Sequence, residues 1–113
     1  MNFWRRLVSH ITDIILTTAI DDGASQDGMH PNVDILNHYL QVNHGSGVLV
    51  QVDGRAGGGK AMQCDVFMAA LNHLDMPSLL RVFYGIQWEY PESVQLLLKD
   101  EHCVKFMVYT PKR

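Results

Sequence analysis

The chain has 113 residues, 47% apolar and 19% charged, which suits one core in a single domain, 1–113, and excludes a disordered chain. Its net charge of −3 comes without a cluster of Lys and Arg, which argues against a nucleic-acid partner. The charge is unevenly spread: from Leu7 to Gly54 there is no Lys or Arg, while Asp13, Asp21, Asp22, Asp27, Asp34 and Asp53 all fall there.

Residues 3–20 carry apolar side chains at helical spacing. Trp4, Leu7, Val8, Ile11, Ile14, Ile15 and Ala19 share one side, and Arg6, His10, Asp13 and Thr17 share the other. This spacing predicts an amphipathic helix capped by Asn2. Its end charges oppose the helix dipole, with Arg5 and Arg6 at the positive end and Asp21 and Asp22 at the negative one. Arg5-Arg6 before apolar residues imitates a leader peptide. His10 and Asp13 interrupt the apolar run, however, and no small-residue cleavage pattern follows. The run is far short of a bilayer span, so the expectation is a cytoplasmic chain with no membrane partner.

Residues 21–31, "DDGASQDGMHP", have loop composition. Their aspartates lack the alternate spacing and the closing Glu of a calcium-binding loop. Residues 32–42 predict a second helix, with Pro31 near its start and Val33, Leu36 and Leu40 on one face. "NHGSG", 43–47, ends it, and "VLVQV", 48–52, predicts a short strand. After a glycine-rich loop, 61–74 predicts a third helix, although Met62, Cys64 and Val66 alternate as in a strand at its start.

The last third changes period. Leu80, Val82, Tyr84, Ile86 and Trp88 alternate with Arg81, Phe83, Gly85, Gln87 and Glu89; Val94, Leu96 and Leu98 alternate beyond Pro91, and Val104, Phe106 and Val108 follow. These predict three strands joined by short turns, hence antiparallel neighbours, with a helix after Pro91 as the alternative for 92–99. The expected fold is α+β: about three helices packed on one face of a mainly antiparallel sheet of three to four strands.

The motif that invites a chemical reading is "VDGRAGGGKAM". Gly54 and Gly59-Lys60 have the spacing of a phosphate-binding P-loop, and Gly57 and Gly58 lie between them. Ala61 replaces the hydroxyl residue that would hold magnesium, and Asp53 and Asp65 flank the supposed anion site. The meander after it also lacks the repeated crossovers of a parallel nucleotide-binding sheet. A connector with high backbone freedom is the plainer reading, one that can order against a partner through Arg55 and Lys60.

Other chemistry leaves weaker traces. No pair among His10, His38 and His73, placed on predicted helices, or His30, His44 and His102, placed in or beside loops, has the spacing of metal ligands on one helix turn. Cys64 and Cys103 read as two reduced, buried thiols. Trp88 and Tyr90 read as core residues, with an interface anchor as the alternative. No metal, cofactor or catalytic residue is assigned.

Size, charge layout and the missing catalytic signatures point to a non-enzymatic binding protein whose acidic first half meets a basic protein. An immunity or antitoxin protein that covers the cationic active site of a toxic nuclease is the most concrete form. Asp13, Asp21, Asp22, Asp27, Asp34 and Asp53 are then the partner-binding residues. The alternative is a small nucleotide- or phosphate-binding domain or enzyme using Gly54, Gly57, Gly58, Gly59 and Lys60. A homodimer through a sheet edge is compatible with the pattern, but nothing in the sequence selects one.

Overall fold

In the computed structural model, which describes residues 10–25, 27–45 and 47–111, strand β1 (Ile11–Thr18) lies at the centre of a five-stranded antiparallel sheet. Ile11, Thr12, Ile14, Ile15, Thr17 and Thr18 are all β-branched, which favours a pleated strand over a helix. Thr12, Ile14, Leu16 and Thr18 are buried, and the residues between them are half-exposed. The predicted helix over 3–20 is thus corrected across 11–18, while residues 3–9 lie outside the described residues. Helical spacing groups Ile14 with Ile15, whereas the strand sends them to opposite faces.

Helix α1 (Pro31–Asn43) matches its predicted counterpart. Val33, Leu36 and Leu40 are its buried residues, Pro31 opens it, and Gly45 closes it with φ 64 and a backbone bond to the Leu40 carbonyl. The strand expected over 48–52 is reduced to β2 (Val50–Gln51). A short 3₁₀ turn at Asp53–Arg55 follows, and the exposed glycine connector then runs into β3 (Asp65–Asn72), where a third helix was expected. β3 pairs with β1 along its whole length, so tertiary pairing overrides the weak helical pattern of 61–74.

Helix α2 (Met76–Gly85) takes up most of the region predicted as the first strand of the meander. Leu79 and Phe83, four apart, are buried on it. Its start signal is local: Asp75 accepts from the Ser78 N–H at 3.2 Å and the Ser78 hydroxyl at 2.8 Å, with Pro77 in the first turn. Strands β4 (Gln95–Asp100) and β5 (Met107–Tyr109) agree with the remaining expectation. The architecture is therefore α+β with two α-helices and five strands among the described residues, rather than about three helices and three to four strands.

The strand order is β2-β3-β1-β4-β5. Helix α1 links β1 to β2 across β3, and α2 links β3 to β4 across β1. Up to β4 this connectivity is the split βαβ arrangement of ferredoxin-like sheets, with β5 added at one edge. One core joins Leu36 and Leu40 of α1, Leu79 and Phe83 of α2, and Ile14, Leu16, Phe67, Leu96 and Leu98 of the sheet. Trp88 is also buried, tilted against Phe83 at 5.9 Å, while Tyr90 is exposed.

Among the described residues no helix covers the opposite face of the sheet. Val50, Met68, Ile15, Leu97 and Val108 are successive cross-strand partners through β2, β3, β1, β4 and β5. At the usual strand spacing this apolar row runs about 19 Å across the sheet. Val50, Met68 and Val108 are exposed, and Phe106 flanks a shallow pocket on this face with Asp13, Ile15, Met68 and Ala70. Among the described residues, no helix is long and apolar enough to cross a membrane.

Two outcomes follow from these contacts. The Thr12 hydroxyl is buried with no hydrogen-bond partner, so Thr12→Val should raise unfolding free energy by about 1 kcal/mol in urea titration. Bonds from the Ser78 hydroxyl and N–H hold the Asp75 carboxyl below its ordinary value. The advantage of the wild type over Asp75→Asn should therefore be complete above about pH 5 and shrink as pH falls through the lowered Asp75 midpoint. Thermal melts across that range measure it.

Candidate functional site at the acidic end

Strand β1 ends at Thr18, which pairs with Asp65 at the start of β3. The chain then turns sharply through Asp21, at φ 54, and Gly23, at φ 64. At Gly23 a side chain would stand 3.1 Å from the Asn32 amide nitrogen, so the turn also packs closely on the start of α1. This turn, the first residues of α1, the Asp53 turn and the start of β3 meet at one end of the sheet.

The two adjacent aspartates of the turn have opposite fates. Asp22 is buried, and its carboxylate accepts from the N–H groups of Glu89 at 3.0 Å and Tyr90 at 2.8 Å and from the Asn32 side chain at 3.3 Å. It ties the β1–α1 turn to the segment after α2, so the structure gives this expected partner-binding residue a buried, structural setting. Asp21 is exposed, and its N–H donates to Asp65 Oδ2 at 2.9 Å. Asp65 is buried at 5% exposure.

His30 sits just before α1 and completes a trio. Single ligating atoms of Asp21, His30 and Asp65 lie within 4.8 Å of one another. The His30 ring rests edge-on against Phe67 with centroids 5.7 Å apart. Asp53 is the neighbouring carboxylate, accepting from the Val66 N–H at 2.9 Å. Partial burial pushes its carboxyl up, but bonds from the Val66 N–H, the Gln51 side chain and its own N–H, with the charge of His30, hold it below its ordinary value. Asp27, in the loop, accepts from the Ser25 hydroxyl, and that bond chiefly holds its carboxyl low. Asp34 is exposed in the first turn of α1.

The structure therefore brings Asp21 and Asp53 together with two residues absent from the sequence-derived site, His30 and Asp65. No local motif signals that trio, because its members come from three separate segments. Asp13 stands elsewhere, on the open sheet face opposite Ala70 and Lys99. The residues of the glycine motif stay apart from any enclosed site. Side chains added at Gly54, Gly57, Gly58 or Gly59 would meet no atom within 4 Å. Lys60 is exposed, and strand β3 follows where a P-loop requires a helix N-terminus.

At the opposite end of the sheet the structure gathers a second polar group. His10 Nε2 lies 2.9 Å from Asp100 Oδ1, and the His10 ring neighbours those of His73 and His102. Cys64 is half-buried and Cys103 exposed, both free, which corrects the expectation of two buried thiols.

The fold and the site define an α+β sheet protein with an acidic end and an open apolar face. Comparison with protein-family models, curated proteins and solved structures gives no match.

Asp22 offers a direct test of the turn. Asp22→Ala leaves the Glu89 and Tyr90 N–H groups without their acceptor and should lower unfolding free energy by about 3 kcal/mol, measured by chemical denaturation.

Proposed function

We propose that this chain is a non-enzymatic binding protein whose acidic end engages a basic protein partner. The observation that carries the reading is the set of exposed carboxylates of Asp21, Asp27 and Asp34, none of which is in a salt bridge with Lys or Arg among the described residues. An acidic surface not neutralised internally attracts a cationic surface and speeds its capture. The open apolar row adds support, because apolar side chains aligned across five strands suit burial against another protein. In its most concrete form the chain is a cytoplasmic immunity or antitoxin protein that covers the cationic active site of a toxic nuclease.

The alternative use of Gly54 to Lys60 for nucleotide or phosphate has less support. The loop is open and exposed, and its next element is a strand.

The test is capture of a partner from the source cells by the tagged chain, followed by kinetics with the purified partner. The partner should be basic, and its association rate should fall at least tenfold between about 50 and 500 mM salt. The variant Asp27→Asn/Asp34→Asn should slow association severalfold while leaving the melting temperature unchanged. A rate indifferent to salt and to both substitutions would overturn the proposal, and thermal stabilisation by Mg-ATP would favour the alternative.

A further inference from the structure

The geometry points to a binding site for one divalent transition-metal ion, of the zinc and manganese class, formed by Asp21, His30 and Asp65. The inference does not rest on the basic partner proposed above, although Asp21 belongs to both.

Three features carry it. First, the donor atoms already converge: one atom from each residue lies within 4.8 Å of the other two. With metal–ligand bonds of about 2.0–2.2 Å, two donors at a tetrahedral angle stand about 3.4 Å apart and two across an octahedron about 4.2 Å. Closing the trio on an ion therefore needs each donor to move by about 1 Å.

Second, Asp65 is buried with no Lys or Arg paired to it among the described residues. It is 5% exposed, and among the described residues its carboxylate accepts one hydrogen bond, from the Asp21 N–H to Oδ2. An ionised carboxylate offers about four lone-pair sites, so this bond leaves capacity to ligate a cation. A buried charge is costly unless it is paired or coordinates a metal. Among the described residues no Lys or Arg forms a salt bridge with Asp65 or Asp21. Asp22 shows the contrast: equally buried in the same turn, it is served by two backbone N–H groups and an amide.

Third, the donor chemistry selects the ion. Two carboxylates and one neutral imidazole carry a charge of −2, which a divalent cation cancels. The imidazole suits zinc and the two carboxylates also accept manganese, whereas calcium and magnesium favour sites built of oxygen ligands alone. Packing against Phe67 constrains the plane of the His30 ring, as a ligand requires. Such an ion would clamp the exit of β1, the entry of α1 and the start of β3.

The test is calorimetric titration of the full chain with zinc chloride and with manganese chloride. One ion should bind per chain with micromolar affinity, while calcium and magnesium bind at least 100-fold more weakly. Manganese should broaden the NMR signals of Asp21, His30, Asp65 and Phe67 before those of His10 and His102. Asp65→Asn and His30→Gln should each weaken binding at least 30-fold; the half-buried His30 keeps the test usable if the Asp65 variant does not fold, which circular dichroism will show. Asp27→Asn/Asp34→Asn should leave metal affinity unchanged, which separates this site from the partner surface. No saturable binding below 1 mM, binding retained in His30→Gln, or binding lost only on substituting His10 and His102 would each overturn the assignment.

Discussion

Everything in this molecule hangs on the pairing of β1 along both of its edges. It is bonded to β3 on one side and β4 on the other, and both helical connections cross between strands of the sheet it centres. Its inward residues, Ile14 and Leu16, form the floor on which α1 and α2 pack. Because side chains alternate along a strand, the same eight residues also set the open face, where Ile15 occupies the middle of the apolar row. A slip of one residue would exchange the two faces, so the register of β1 decides both what is core and what is offered outward.

The acidic end is a consequence of where β1 stops. The chain must turn from Thr18 toward α1, and that turn delivers two consecutive aspartates to a place where backbone N–H groups and carboxylates from other segments meet. Asp22 turns inward and serves as an acceptor for Glu89 and Tyr90. Asp21 turns outward and meets His30 and Asp65. Neighbours in sequence thus separate into a structural role and a surface role, and formal charge by itself does not distinguish them. Asp13, equal to them in charge, lies on the open sheet face beside Ala70 and Lys99.

Periodicity misled where it suited two structures. Ile11, Ile14, Ile15 and Ala19 fit a helix face, yet the β-branched residues of 11–18 also fit a strand, and pairing with two neighbours decided between them. The reverse happened at 76–85. Leu80, Val82 and Tyr84 alternate like a strand, but Leu79 and Phe83 are the buried pair, and the Asp75 cap with Pro77 marks a helix start. That cap was the legible signal, and it outweighs alternation across so few residues. The glycine motif carried the spacing of a phosphate loop, but spacing has no such meaning without a helix after it, and β3 follows instead.

By itself the sequence determined the mixed α+β class, helix α1, and an acidic first half without Lys or Arg, because composition and strong local patterns need no distant partner to be read. Only the tertiary structure decided that β1 and β3 are strands, that Asp22 is buried, and that Asp21, His30 and Asp65 converge. The physical reason is the same in each case. A strand's partner, a carboxylate's donor and a metal ligand's companions lie far away along the chain, and only strand pairing together with helix packing brings them within reach.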